Sequence, residues 1–357
     1  MSVPEKAGAR IYRYGVALEK GSLGRLLDKF GADVIIGHPT YFNDSTIGPE
    51  LEKGILGAPS SFPGQKIAFI VSDGTLTRDR NDPRTLDAAI AAAAGALSEL
   101  GPEQRERILV VAGSYDGYDG NTTAGKGSAL RVIYEEMAFV SAQTLILLDG
   151  DLRNDVAHWQ AVYKKVIDAH RIEFPDRNYF ITARYARHFV DASITRQVVG
   201  PLTTLFGTFV PGGISGDIVL SADAVALERK SEWTDERRRY GTDIATTFDN
   251  IARGTVIYEA YLGAKLHDIT DDAKLSVMPG EVIGSALERL LHYERLDRRV
   301  SRVLEGDAPL KHAIAWGPEK PVSASSTRAS PTPSTCQKNA PPCSSASLLF
   351  RPRLKGR

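Results

Sequence analysis

The stretch that decides the fold is Thr144-Leu145-Ile146-Leu147-Leu148-Asp149-Gly150-Asp151. An apolar run of this length that ends in charged residues is typical of a strand buried on both faces. In extended backbone, residues i and i+2 project to the same side, so Asp149 and Asp151 can share one cation. The glycine between them allows a bulky ligand to approach the backbone closely. The segment therefore predicts a buried strand that ends in a binding site.

The chemistry of this pair indicates a metal-bound diphosphate. Carboxylate oxygens are hard ligands that suit Mg²⁺ or Mn²⁺ bridged to phosphates. The alternative is that two acids at a strand end merely cap the following helix, and an isolated pair does not decide between the two interpretations. The surrounding sequence has to show whether the pair is a metal site or a helix cap.

The same pattern of a strand followed by a polar loop recurs upstream. Residues 33–37, 66–71 and 108–112 are apolar runs expected to be strands. The alanine-rich residues 85–100 and the amphipathic residues 128–139 are expected to be helices. Strands that alternate with helices predict an α/β domain with a mainly parallel sheet, in which ligands bind at the carboxyl ends of the strands.

Composition divides the chain into four parts. The expected parts are an N-terminal lead-in at 1–31 with a helix at 22–30, a first half of the main domain at 32–152, a second half of the same domain at 153–304 with strands at 179–182 and 255–258, and a tail at 305–357. The Ser/Pro/Thr-rich tail is expected to be largely disordered from about 320, because such composition buries too little apolar surface to order itself. The charge run 228–239 is expected to be an exposed helical face or a mobile loop.

Bulk composition excludes several classes of partner. The 357 residues contain 44 Lys+Arg and 44 Asp+Glu, so no global field favours nucleic acid or an acidic membrane. The start of the chain lacks the pattern of a signal peptide, and no apolar run is long enough to span a bilayer, so we expect a cytoplasmic protein. Cys336 and Cys343 both lie in the tail, which argues against a disulfide framework.

A glycine-rich loop supplies a cation. Residues 120–128 nearly satisfy the spacing of a P-loop, but Gly127 stands where a Ser or Thr hydroxyl is needed. The favoured interpretation is a flexible loop that presents Lys126 to phosphate at the start of the 128–139 helix, whose N-terminus also attracts negative charge.

Four motifs in this order resemble a known family. They are residues 38–43 after the first strand, 72–74 after the second, 125–130, and 148–152. Across roughly 32–268 the chain resembles glycosyltransferases of the type A fold, specifically the retaining group that contains glucosyl-3-phosphoglycerate synthase and mannosylglycerate synthase. The resemblance implies a Rossmann-like domain in which the half at 32–152 binds the nucleotide sugar and the half at 153–304 binds the acceptor, followed by a helical C-terminal segment.

The resemblance also implies roles for single residues on the donor side. The residues expected to line the nucleoside pocket are Pro39, Tyr41, Asn43 and Asp73. Lys126 is expected to touch the donor phosphates, and Asp151 is expected to be the principal metal ligand. Asp149 would face the ribose or the metal, and Asp243 would lie near the donor sugar. In this family a downstream histidine completes the metal site, and His267 is the candidate.

Acceptor recognition is expected from a second group of residues. The glycine-rich segment 211–217 resembles the family's acceptor loop and can offer backbone N–H groups to an anion. Arginines fit a carboxylate or phosphate in two-pronged fashion, so a small acidic acceptor is expected. The acceptor candidates are Arg184, Arg187, Arg196, Gly212, Gly213 and Asp217.

The function implied is a metal-dependent glycosyltransferase. It would use Mg²⁺ or Mn²⁺ to move a hexose from UDP-glucose or GDP-mannose to an acceptor such as glycerate or 3-phosphoglycerate, with retention at the anomeric carbon. A homodimer is also compatible with the resemblance. One alternative is a sugar nucleotidyltransferase, whose glycine loop would follow the first strand rather than two βα units. A glycosyltransferase-like binding protein without turnover is the other, and the intact carboxylates and lysine argue against it.

Overall fold

A computed structural model of the protein describes residues 1–79, 82–186, 192–267, 272–295 and 314–315. The strands are β1 (Glu5–Gly8), β2 (Ile11–Tyr14), β3 (Val34–Thr40), β4 (Ile67–Asp73), β5 (Ile108–Ser114), β6 (Thr144–Leu147), β7 (Tyr179–Ala186), β8 (Ile218–Ser221), β9 (Val256–Ala264) and β10 (Ile314–Ala315).

Helices connect most of these strands. They are α1 (Ser22–Phe30), α2 (Ile47–Ser61), α3 (Thr75–Arg78), α4 (Arg84–Glu99), α5 (Pro102–Glu106), α6 (Lys126–Glu136), α7 (Val156–Glu173), α8 (Gly200–Leu205), α9 (Ala222–Lys230), α10 (Asp235–Arg238), α11 (Thr242–Ala252) and α12 (Asp272–Arg295). Among the described helices, none has the length and apolarity needed to cross a membrane.

The strands form one mixed, mainly parallel sheet in the order β1-β2-β5-β4-β3-β6-β8-β7-β9-β10. Neighbours from β2 to β6 in this order run parallel, and so do β7, β9 and β10. The exceptions are β1, antiparallel to β2, and β8, antiparallel to both β6 and β7. The predicted parallel α/β sheet is confirmed.

The core lies on both faces of the sheet because side chains alternate along each strand. Val34 and Ile36 of β3 pack with apolar residues of α2, α4 and α7, whereas Ile35 packs on the opposite face with residues of α1, α6 and α11. This two-sided burial explains why the strands at the centre of the sheet are continuous apolar runs.

The N-terminal lead-in contributes more to the fold than expected. The predicted helix at 22–30 is confirmed as α1, and it ends at Gly31 with a φ of 75°. Ahead of it, β2 pairs in parallel with β5 and extends the sheet by two strands together with β1. The four-residue length of these strands gives little periodicity to detect in the sequence.

The prediction that the charge run 228–239 is exposed is wrong for Glu228 and Arg237, whereas Lys230, Glu232, Asp235 and Arg239 are exposed as expected. Glu228 is 0% exposed and Arg237 is 1% exposed. The Arg237 guanidinium donates to Glu228 and, at 2.7 Å, to Asp249, while Arg253 Nη1 lies 2.6 Å from Glu228 Oε1. These four residues are called the sealed cluster below. The tail from 316 and Arg187 lie outside the described residues, as does the segment 268–271 after His267.

Candidate active site

Parallel strands bring the polar motifs to one edge of the sheet. β3 ends at Thr40, β4 at Asp73 and β9 at Ala264, and the loop after β6 carries Asp149 to the same edge. Because β8 is antiparallel, Asp217 immediately before it also lies at this edge. The expected gathering of these residues at the carboxyl ends of the strands is therefore observed.

The Asp149 carboxylate is fixed by two lysines. Lys126 Nζ lies 2.7 Å from Oδ1, and Lys265 Nζ lies 2.7 Å from Oδ2. The backbone N–H of Asp149 donates to Asp217 Oδ1 at 2.9 Å. Burial alone would raise the pKa of Asp149, but the two lysines outweigh it and lower the pKa. Asp149 is therefore a charged group held in one orientation.

Lys265 is a site residue that sequence reasoning missed. Its ammonium group contacts Asp149, donates to Asp217 Oδ2 at 2.7 Å, and donates to the Ser215 carbonyl at 3.0 Å. Burial alone would lower the pKa of this side chain, which is 6% exposed, but the carboxylates around it raise the pKa. The available signal was its position two residues before His267, on the same extended segment.

Asp217 was expected in acceptor binding, but the structure places it beneath Asp149. Its carboxylate is 0% exposed and accepts from Lys265 and from the Tyr185 hydroxyl. The Tyr163 hydroxyl donates to the Asp217 carbonyl at 3.0 Å. These contacts indicate that Asp217 orients Asp149 and Lys265 instead of meeting a ligand.

Asp151 and His267 lie on two chain segments that pair next to the site. Leu152 forms an isolated antiparallel bridge with His267, and the adjacent Arg153 N–H donates to the Leu266 carbonyl at 2.8 Å. Burial and then the Asp149 charge raise the pKa of Asp151, whereas Lys265 and His267 lower it. An added cation at this half-buried carboxylate would relieve that repulsion.

These two side chains fit one corner of a metal site. Over the described ranges, no group of three His, Cys, Asp or Glu side chains forms a complete cage. Mg²⁺ commonly binds through one or two carboxylates together with substrate phosphates and water. The residues present therefore fit a metal that a diphosphate helps to hold.

Lys126 joins the site to Asp243. It is the first residue of α6, and its Nζ lies 3.0 Å from Asp243 Oδ2. The other oxygen, Asp243 Oδ1, is buried and has no hydrogen-bond partner among the described residues. A Cβ added at Gly127 would overlap the Arg237 carbonyl oxygen, so close packing against α10 requires glycine where a P-loop has a hydroxyl.

The loop after β3 carries the residues that were predicted to line a nucleoside pocket. Asn43 Oδ1 accepts the Tyr41 N–H at 2.6 Å, and both side chains are partly exposed, whereas Pro39 is buried. Asp73 is fully buried and accepts from the Thr40 hydroxyl at 2.9 Å and from the Thr75 N–H at 3.1 Å. Burial raises the pKa of Asp73 to about 6. Asp73 is therefore a buried residue that holds Thr40 and Thr75 in place next to this loop.

Several solved structures of one enzyme share this architecture. Three crystal structures of glucosyl-3-phosphoglycerate synthase from Mycobacterium tuberculosis align with TM-scores of 0.51. The complex with phosphoglyceric acid is 18% identical over 76% of this chain and 84% of that one. The complex with Mn²⁺, UDP and phosphoglyceric acid is 18% identical over 74% and 81%, and the complex with Mg²⁺ and UDP is 17% identical over 78% and 85%.

This chain has the type A glycosyltransferase fold. No protein-family model matches it, and no curated protein matches it by sequence. The likeness therefore establishes the architecture, as the order of the four sequence motifs predicted.

In the glycine-rich loop that was predicted to bind the acceptor, two backbone N–H groups are already bound within the protein. The Gly212 N–H donates to Glu259 Oε1 at 2.9 Å, and the Gly213 N–H donates to the Val210 carbonyl at 3.0 Å. Arg184 lies 3.6 Å from Glu259 and is 46% exposed. The arginine, rather than the two glycine amides, is the group that this conformation presents outward.

Proposed function

We propose that the protein is a metal-dependent glycosyltransferase that moves a hexose from a nucleotide sugar to a small acidic acceptor. The observation that carries the proposal is Asp149 fixed between Lys126 and Lys265 beside the Asp151–His267 corner, at the ligand-binding edge of a type A fold. The carboxylates around this turn outnumber its two lysines, so the cluster suits a divalent cation that a diphosphate would share.

Each donor-side residue has a distinct task in this proposal. Asp151 and His267 would hold Mg²⁺ or Mn²⁺, which when bound supplies Lewis-acid stabilisation of the leaving diphosphate. Lys126, at the N-terminus of α6, and Lys265 add fixed positive charge where negative charge develops. Asp243, which contacts Lys126, would lie near the donor sugar.

UDP-glucose and 3-phosphoglycerate are the substrates that we propose first. The structural neighbours were solved with UDP, with Mn²⁺ or Mg²⁺, and with phosphoglyceric acid. On this chain the outward-facing Arg184 suits a carboxylate or phosphate on the acceptor. Retention at the anomeric carbon is part of the same proposal.

Calorimetric titration tests the donor assignment. The purified protein is titrated with UDP-glucose and with GDP-mannose, each with and without Mn²⁺, and Asp151→Ala serves as the comparison. We expect Mn²⁺-dependent binding of UDP-glucose, with the Mn²⁺-dependent part lost in Asp151→Ala and an unchanged melting temperature. Binding of GDP-mannose alone would correct the donor, whereas binding of neither nucleotide would overturn the assignment as an enzyme.

A further inference from the structure

Helix α2 lies directly behind the turn that carries the two site carboxylates. The Thr46 hydroxyl, at the N-cap of α2, donates to the Gly150 carbonyl at 2.8 Å. Four residues along the helix, Glu50 Oε2 accepts the Leu152 N–H at 3.3 Å. Residues four apart share one face of a helix, so this face holds the turn at two points.

The turn is also confined from its other sides. A Cβ added at Gly150 would lie 2.6 Å from the Thr40 methyl carbon and 3.0 Å from the Pro39 carbonyl oxygen. Beyond Gly150, the chain pairs through Leu152 with His267. A change in the α2 contacts would therefore be transmitted to the position of Asp151 relative to His267.

Glu50 lies too deep to meet a ligand itself. It and His38 are each 1% exposed, and Glu50 Oε1 lies 2.9 Å from His38 Nδ1. Burial raises the pKa of Glu50 and lowers the pKa of His38 to about 3, so burial disfavours the charged form of both side chains. A glutamine at position 50 can reproduce the contacts with His38 Nδ1 and with the Leu152 N–H, whereas a leucine can reproduce neither.

We propose that Thr46 and Glu50 are positioning residues that set the metal affinity of the site by holding the 149–152 turn against His267. The inference rests on the proposed function, because it concerns the same metal corner. Residues behind a metal ligand orient that ligand, and their loss typically weakens metal binding without changing the ligand set.

The test uses Thr46→Val, Glu50→Leu and Glu50→Gln, with Ser61→Ala as a matched control on the same helix. The Ser61 hydroxyl contacts the Ala157 carbonyl on α7 at 3.4 Å, away from the turn. UDP affinity is measured calorimetrically over a range of Mn²⁺ concentrations and also without metal. Mn²⁺ should increase the UDP affinity of every variant that keeps the metal site. In Thr46→Val and Glu50→Leu, the Mn²⁺ concentration that gives half of this increase should be about 10-fold higher than in the wild type.

Two comparisons keep the outcome specific to positioning. The UDP affinity measured without metal should stay at the wild-type value, although the Thr46 hydroxyl also lies 3.3 Å from the Asn43 carbonyl. Glu50→Gln and Ser61→Ala should resemble the wild type in both measurements. Thr46→Val keeps the side-chain volume, so it carries the test if Glu50→Leu fails to fold.

Several results would overturn the inference. An unchanged Mn²⁺ requirement in folded Thr46→Val would show that α2 does not set metal affinity. The proposed function would not be affected by that result if UDP binding to the wild-type protein depends on Mn²⁺. An equal loss of UDP affinity with and without metal would assign these residues to the predicted nucleoside pocket. If UDP affinity of the wild-type protein did not depend on Mn²⁺, both the proposed metal site and this inference would be overturned.

Discussion

Two groups of buried charge in this protein differ in how completely they are paired. The sealed cluster has two carboxylates, Glu228 and Asp249, and two guanidiniums, Arg237 and Arg253. The site cluster has four carboxylates and two ammonium groups; its members are Asp149, Asp151, Asp217, Asp243, Lys126 and Lys265. Only the site cluster carries a formal excess of negative charge.

Accessibility separates the two groups further. Glu228 and Asp249 are inaccessible, and the Tyr293 hydroxyl covers Asp249 Oδ1 at 2.6 Å. In the site cluster, Asp149 keeps 23% of its side chain exposed and Asp243 Oδ1 has no partner among the described residues. Burial of charge therefore does not by itself identify a functional site; unpaired charge within reach of a ligand does.

Removing the cation at the centre of the sealed cluster should give the largest effect. Arg237→Met removes the buried cation between Glu228 and Asp249 and leaves them only the partly exposed Arg253 within the cluster, which should lower the free energy of unfolding by about 3–5 kcal/mol. Urea unfolding measures this loss. UDP affinity of the folded protein should remain at the wild-type value.

The neighbouring Arg239 provides the control for that experiment. Its guanidinium is 51% exposed and lies 3.7 Å from Glu281, so Arg239→Met should change stability by at most about 1 kcal/mol. If Arg237→Met instead lost UDP affinity and kept its stability, the sealed cluster would have to be counted as part of the site.

Asp73 is an intermediate case, because its partners are hydroxyl and N–H groups and not cations. Its folded pKa of about 6 exceeds its ordinary value of 3.8, so between these pH values the folded state holds a proton that the unfolded state has lost. Stability should therefore fall as pH rises through this window, by up to about 3 kcal/mol. Urea unfolding from pH 4.5 to 7 should show this decline in the wild type.

The variant Asp73→Asn isolates that contribution. It cannot ionise, so the difference in stability between the variant and the wild type should shift in favour of the variant as pH rises to about 6. A constant difference across the same range would mean that Asp73 stays ionised in the folded protein.

Loss of a site cation should give the smallest effect on the fold and a clear effect on turnover. Lys126→Met removes charge that the proposal places beside the leaving diphosphate, so transfer from UDP-glucose should slow by about 100-fold. Its partners Asp149 and Asp243 retain some access to water, which limits the loss of stability.

A lysine outside the site provides the comparison for the turnover assay. Lys164 pairs with Asp168 along α7, and Lys164→Met should leave turnover unchanged. Equal turnover in Lys126→Met and the wild type would place Lys126 with the structural charges and erase the distinction between the two clusters.

The sequence predicted the central sheet because burial there is two-sided. Strands β3 to β6 are continuous apolar runs, and polar residues begin where each run ends, so both the strands and the edge that gathers the site are visible without coordinates. Asp149 and Asp151 were identified for the same reason. Their pairing with particular lysines was not, because it depends on where distant segments meet.

Three features depend on tertiary contacts and left little sequence signal. Helix α2 contains Gly57 because a Cβ there would overlap the Ala157 methyl of α7, and such glycines obscure the helical pattern. Lys265 becomes a site residue only because β8 and β7 place β9 in the same sheet as β6, so that the ends of β6 and β9 lie at the same edge. The charges of the sealed cluster suggested exposure, since a run of charges is more often solvated than paired internally.

The short strands β1 and β2 determine which strand lies at one edge of the sheet, where its backbone is accessible to other molecules. With β2 in place, β5 is an interior strand, and the outer boundary is β1, a short strand that carries Glu5 and Lys6. Short, charged boundary strands discourage a second chain from adding to the sheet. A variant lacking residues 1–14 would instead expose one edge of the apolar β5, which would keep β4 on its other edge, and self-association by strand addition would be the expected consequence.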